Sequence, residues 1–380
     1  MTSGLIDIPC TLMRGGTSKG PFFLASDLPT DSETRAKVLL AALGSPDVRQ
    51  IDGVGGADPL TSKVGIVSSS QRGDVDLDFL FAQVSVDKAL VDTTPNCGNM
   101  LAAVVPFAIE RGLISPSADR TTVRVLTLNT GTMADITVQT PGGQLTYVGD
   151  TRIDGVPGGH APISIAFRDT SGSVCGALLP TGKSMDIIDG VPCTLIDNGM
   201  PVVVLPAHSL GISGYESRDA LNADKALAAK LEPIRLKAGR MMGLGDVAEK
   251  PIPKMTLISP ARAGGAINTR TFIPHVCHAS IGVLGAVTVA TACALEGSIA
   301  HEMAGRPTAG LLSIEHPSGE FTVDLDIGMT TDGPQVRKAA LIRTARRLFA
   351  GAVAIPRSAW PEAGQGNRFQ DGKIRMGDAA

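Results

Sequence analysis

Lys63 and Cys97 are the side chains of this chain best placed to move a proton. Lys63 heads the apolar run Lys63-Val64-Gly65-Ile66-Val67. A lysine among apolar strand residues gives up its charge more readily than a surface lysine and could act as a base. The plainer reading is a solvated strand end. Lys254, which heads Lys254-Met255-Thr256-Leu257-Ile258, favours that structural use by repetition. Cys97 lies in Asn96-Cys97-Gly98-Asn99, just ahead of Met100-Leu101-Ala102-Ala103-Val104-Val105. Asn96 is expected to cap a helix with Cys97 at its first position. Free N–H groups there stabilise an anion, either a bound carboxylate or the thiolate. Gly98 lets a ligand approach the backbone, and Asn99 offers an amide. The alternative is a structural cysteine buried in an Ala-rich helix.

Arg14, Thr17 and Ser18 lie among glycines in Arg14-Gly15-Gly16-Thr17-Ser18-Lys19-Gly20, which reads as an anion cradle or as a tight hairpin turn. His275 and His278 have metal-like spacing but no third ligand with matching logic, so no metal is expected. His278 and Ser280 read instead as polar groups at the mouth of a second apolar helix that starts at His278-Ala279-Ser280. No serine sits in a nucleophile elbow. Gly243-Leu244-Gly245 lacks the preceding strand that a dinucleotide loop needs.

The elements that must position these groups occur twice. Pro9-Cys10-Thr11-Leu12 reappears as Pro192-Cys193-Thr194-Leu195. The Lys63 strand is echoed by the Lys254 strand, and the Cys97 helix by the one after His278. Arg124-Val125-Leu126-Thr127-Leu128, a turn, then Ile136-Thr137-Val138 is matched by Leu311-Leu312-Ser313-Ile314, a turn, then Phe321-Thr322-Val323. Matches in the same order argue for two copies of one domain, over residues 1–188 and 189–355, with a tail over 356–380. Each copy reads as α+β: a mostly antiparallel sheet wrapped around a central apolar helix. In the first copy, strands are expected at Ile8 to Leu12, Phe22 to Leu24, from Lys63, Asp76 to Val86, Arg124 to Gln139, Gln144 to Val148 and Ile163 to Phe167. A helix is expected from Asp31 to Leu43, with Asp31 or Ser32 as cap. Two facing domains would make a cleft suited to a small molecule.

Composition narrows the partners. The chain is 43% hydrophobic, 19% charged and carries a net charge of -3, with no basic stripe, which disfavours nucleic acid and anionic membranes. Aromatic residues make up only 3%, too few for base-stacking platforms. The six cysteines contain no C-x-x-C pair, so a reduced, cytoplasmic protein is expected. No basic region followed by an apolar run opens the chain, so no signal peptide is expected. Val276 to Leu295 holds no acidic or basic residue apart from His278, but Gly282 and Gly285 interrupt it; a buried helix accounts for it better than a membrane span.

The glycine loop at Arg14 to Gly20, the run Asp52-Gly53-Val54-Gly55-Gly56-Ala57-Asp58 leading into Thr61-Ser62-Lys63, and Pro95-Asn96-Cys97-Gly98-Asn99 resemble the signatures of the methylaconitate isomerase group. That group is similar in fold to diaminopimelate epimerase, and the resemblance covers nearly the whole chain. It implies a cofactor-free enzyme that moves a proton along a tricarboxylate, with two pseudo-symmetric epimerase-like domains. Lys63 falls on the group's catalytic lysine and Cys97 on its active-site cysteine. Arg14, Thr17, Ser18, Asn96, Gly98, Asn99, His278 and Ser280 would bind the substrate. Within the group the chain resembles most the members acting on 4-oxalomesaconate, in gallate and protocatechuate 4,5-cleavage degradation. Cis–trans isomerisation of 2-methylaconitate is the close alternative. In the related epimerases a second cysteine opens the second helix; here His278-Ala279-Ser280 stands there, which speaks against racemisation or epimerisation. A non-catalytic carboxylate binder is the remaining reading. A homodimer is compatible with the sequence but not required by it.

Overall fold

The computed structural model describes residues 4–307, 309–331 and 333–363. The chain divides into two compact units: residues up to Ile165 together with those from Arg343 onward, and Ala166–Ile342. This differs from the expected boundaries at 188 and 355. The strand Ala345–Pro356 pairs with the first strand of the chain from Leu5↔Pro356 to Gly15↔Ala345, so it completes the first sheet. Of the expected tail, Trp360 packs on the core of the first unit, and residues 364–380 lie outside the described residues.

The first unit begins with the hairpin β1 (Leu5–Gly15) and β2 (Ser18–Leu24). Helix α1 (Ser32–Leu43) follows. Asp31 caps it by accepting the Thr34 N–H at 2.7 Å, and Gly44 ends it in the left-handed region at φ 75°. Its apolar stripe, Val38, Leu39, Ala42 and Leu43, is buried against one face of the sheet. Next come β3 (Lys63–Ser69), β4 (Leu77–Val84), the short β5 (Val91–Asp92), α2 (Gly98–Leu101), α3 (Val104–Glu110), β6 (Asp119–Thr127) and β7 (Thr132–Thr140). The pairs β1–β2, β3–β4, β4–β5 and β6–β7 are antiparallel; β2–β3 and β4–β6 are parallel. Helix α3 lies on the other face, where Phe22 meets Phe107 at 5.6 Å and Phe79 at 6.4 Å between ring centroids. Gln144 to Val148 is not a strand. Tyr147 is used instead as a tether, its hydroxyl donating to Glu110 at 2.9 Å.

The second unit repeats this order. Strand β8 (Ile163–Phe167) spans the junction, and β9 (Asp186–Ile188), β10 (Val191–Asp197) and β11 (Pro201–Pro206) follow. Then come α4 (Arg218–Ala223), α5 (Lys225–Met241), β12 (Lys254–Ser259), β13 (Ile267–Ile273), β14 (Val276–Cys277), α6 (Val283–Ala294) and α7 (Ile299–Met303). Strands β15 (Ala309–His316), β16 (Gly319–Thr330) and β17 (Gly333–Arg343) complete it, and the strand that returns to the first sheet is β18. Pairing alternates as before: β10–β11 antiparallel, β11–β12 parallel, β12–β13 antiparallel, β13–β15 parallel, β15–β16 antiparallel. Helix α6 is the central helix of this copy and is buried from Gly285 to Ala294. No helix among the described residues is long and apolar enough to cross a membrane.

Candidate active site

Strand alternation sorts the candidate residues of the first unit. Side chains two apart share a face, and paired residues face the same way. Phe22 lies on the α3 face. Ser18 and Gly20 therefore lie on it too, with Gly15 opposite Ser18 and Gly65 opposite Phe22. Lys63, two before Gly65, joins them, with Gln83 and Phe81 on the adjacent strand. Arg14 leaves β1 from the opposite face.

Lys63 is 9% exposed. Its Nζ donates to Gln83 Oε1 at 2.6 Å and stands 5.1 Å from the Phe81 ring centroid. Gln83 is held in turn, its Nε2 donating to the carbonyls of Pro59 and Ser62 at 3.0 Å each. Only its oxygen then faces the lysine. The glycine-rich stretch after α1 serves the same end. Gln50 accepts the Ala57 N–H through Oε1 and donates to the Ser62 hydroxyl at 2.7 Å. Gly20 explains itself by contact: a Cβ there would stand 1.6 Å from the Lys63 carbonyl oxygen.

The Cys97 region departs from expectation in two ways. Cys97 is itself the N-cap, in extended conformation, rather than the first helical residue. Asn96 does not cap, because its Nδ2 donates to the Thr127 and Thr130 hydroxyls at 3.0 and 2.6 Å. The helix is also divided: α2 has four residues, and α3 restarts at Val104. Pro106 supplies no N–H to the Ala102 carbonyl, and its ring crowds it. Cys97 is half-buried. Helix α2 packs against β1, β2 and β3, the strands that carry Gly15, Ser18 and Lys63.

The Arg14-to-Ser18 loop is a hairpin turn, with Gly16 at φ 52°, and it rests on Asn99. A Cβ at Gly15 would lie 2.3 Å from the Asn99 carbonyl oxygen, and one at Gly16 would lie 2.1 Å from Asn99 Oδ1. Asn99 Nδ2 donates to Thr17 Oγ1 at 3.0 Å. Ser18 is 1% exposed, and its hydroxyl has no partner among the described residues. Arg14 Nη1 donates to Gly16 O at 2.9 Å and to Thr344 O and Oγ1 at 3.1 and 3.0 Å; its Nη2 is buried without a partner. Burial and the neighbouring Arg346 bring the Arg14 guanidinium down to about 10. Sequence reasoning missed Gln83, Arg343 and Thr344. Arg343 Nε donates to Asn99 Oδ1 at 3.2 Å, and the Thr344 carbonyl accepts the Gly16 N–H at 2.8 Å. Nothing local in the sequence marks these two residues; they arrive through the β1–β18 pairing.

In the second unit, α6 begins at Val283 with Gly282 as N-cap, so His278, Ala279 and Ser280 precede the helix instead of opening it. His278 Nδ1 accepts the Ser280 N–H at 3.0 Å, a local turn that competes with helix formation. Ser280 Oγ lies 3.2 Å from His316 Nε2. His275 is turned to Glu232 at 2.9 Å. Among the described residues no group of three or more His, Cys, Asp or Glu side chains could hold a metal.

The duplicated α+β architecture is the one the resemblance implied, and a solved structure shares it. The crystal structure of a methylitaconate-delta-isomerase superposes with a TM-score of 0.83 at 35% identity, over 94% of this chain and 97% of that one. The PrpF protein family profile matches residues 5–356, and the chain belongs to that family. It is 58% identical to a (4E)-oxalomesaconate Delta-isomerase of Novosphingobium sp. (strain KA1), over 91% of this chain and 97% of the relative. It is 56% identical to a 4-oxalomesaconate tautomerase of Pseudomonas putida, over 94% and 98%. The chain is thus an enzyme of the isomerase class.

Proposed function

We propose that this chain isomerises 4-oxalomesaconate by moving one proton across an allylic system, in the degradation of aromatic acids such as gallate and protocatechuate. The observation that carries the reading is Lys63: a buried amine, aimed by Gln83 and seated on the face that α2 covers. Loss of a proton from a carbon next to the conjugated system leaves a dienolate, and protonation at the far allylic carbon completes the shift. No electron or group is gained or lost, so no cofactor is required. Lys63 is the base, and Cys97 assists as the acid–base partner at the start of α2. The substrate carboxylates take the donors that the protein leaves open, foremost the Ser18 hydroxyl, the Thr17 hydroxyl and the backbone amides at Gly98 and Asn99. The unpaired state of all six cysteines supports a reducing, cytoplasmic setting. A homodimer fits this reading without being needed by it.

The test is proton NMR in D₂O with 4-oxalomesaconate and, separately, 2-methylaconitate. Turnover of the first with solvent deuterium at the allylic positions is expected. Lys63→Met should keep the fold and lower turnover by about 10²–10⁴-fold or more, with loss of exchange at the carbon that Lys63 serves. Near-wild-type turnover in that variant would remove Lys63 as the base. Turnover of 2-methylaconitate alone would replace the substrate.

A further inference from the structure

Arg343, the last residue of β17, belongs to the first unit and is 3% exposed. Burial pulls its guanidinium down to about 9. A buried guanidinium is costly unless its donors find acceptors, and the Asn99 amide is one of them. Its Nε donates to Asn99 Oδ1 at 3.2 Å, and Asn99 Nδ2 donates to Thr17 Oγ1 at 3.0 Å. An asparagine amide can ordinarily sit either way round. Arginine has only donors, so it compels the amide oxygen to face it. The amide nitrogen must then face Thr17, and Thr17 must accept. A hydroxyl that accepts from one neighbour has its own proton left to donate. Gly15 and Gly16 allow the hairpin to lie this close to Asn99.

We infer that Arg343 is a positioning residue. Through Asn99 it sets the polarity of a hydrogen-bond relay and turns the Thr17 hydroxyl into a donor toward a substrate carboxylate. This rests on the reading of the site as one for a polycarboxylate. The relay runs one way, from guanidinium to amide to hydroxyl to carboxylate, and it delivers a positive bias without placing the charge itself against the ligand.

The probe is tricarballylate, a saturated tricarboxylate that binds without reacting, followed by calorimetry on the full chain. Arg343→Met is expected to weaken binding about ten- to a hundredfold, the range for a hydrogen bond to a charged group. Arg343→Lys, which keeps a donor, should recover part of that loss. Thr17→Val should weaken binding comparably, and the double variant should be no worse than either single one, because both break the same relay. Asn99→Asp separates positioning from structure. It pairs well with Arg343 and should not lower the melting temperature, yet an acceptor-only side chain takes the Thr17 proton and should weaken binding. Wild-type affinity in Arg343→Met, additive losses with Thr17→Val, or no binding by the wild-type chain overturns the relay. A wild-type chain that binds tricarballylate through Arg343 but leaves 4-oxalomesaconate unchanged overturns the 4-oxalomesaconate reading and leaves the relay standing.

Discussion

Burial pushes the thiol of Cys10 up to about 11 and those of Cys175, Cys193 and Cys293 up to about 12, and it raises Cys277 as well. The thiolate is the form that reacts, so these five are poor targets near pH 8. Cys97 is half-buried at the start of α2, with its side chain uncommitted to a cap. Iodoacetamide at pH 8 is therefore expected to modify Cys97 first, activity should fall in step, and substrate should slow both. Peptide mapping by mass spectrometry reads the order. Full activity after complete modification of Cys97 would take the residue out of the site. Lys63 is the complementary case: its chemistry is visible in the sequence, but its aim is not. Gln83 Oε1 sets that aim, and Gln83 is itself fixed by two carbonyls that only the folded loop supplies.

Among the elements, β2 and β3 approach closely at the start of the Lys63 strand. A side chain at Gly20 would drive its Cβ into the Lys63 carbonyl, a backbone atom that cannot swing aside. Gly20→Ala is expected to cost about 1–3 kcal/mol or more in urea unfolding. It should also reduce turnover in the fraction that remains folded, since relief requires moving Lys63. Gly73 has open space around it, so Gly73→Ala is the matched control and should be close to neutral. Equal, small effects from both substitutions would mean the sheet yields more easily than this register implies. The second copy shows what the first has specialised. Lys254 heads β12 as Lys63 heads β3, but its partner across the parallel pair is Val202 rather than a glycine. The motif repeats, and the close approach does not.

At the scale of the molecule, Lys254 has a consequence for stability. Burial lowers its pKa, which penalises the ammonium form in the folded state. The unfolded chain, with a lysine pKa of about 10.4, then binds more protons than the folded one in the window below that value. Stability rises with pH through this window, and the contribution is lost as pH falls through the depressed pKa. Lys254→Met removes the penalised charge and keeps the apolar stem. The variant is expected to be more stable than wild type at pH 7, with the difference closing as pH approaches 10. Urea melts at several pH values measure it. A variant less stable at pH 7, or a gap that widens with pH, would show that the ammonium is compensated by a partner.

By itself the sequence determined the duplication, the α+β class and the α1 helix with its Asp31 cap, and it singled out Lys63 and Cys97 as candidates. These rest on signals only a few residues long: strand alternation, cap chemistry and an apolar run around a polar group. Tertiary structure alone decided the domain boundary, because β18 pairs with β1 from the far end of the chain. It decided the start of the Cys97 helix too, since Asn96-Cys97-Gly98-Asn99 reads as a capped helix start until Thr127 and Thr130 claim the Asn96 amide. It also divided the glycine-loop residues, sending Ser18 to the helix face and Arg14 to the other, which follows from pairing register rather than from composition. Arg343 reaches Asn99 across 244 positions of sequence. No local pattern carries a contact of that span, because its geometry exists only once both sheet edges are in place.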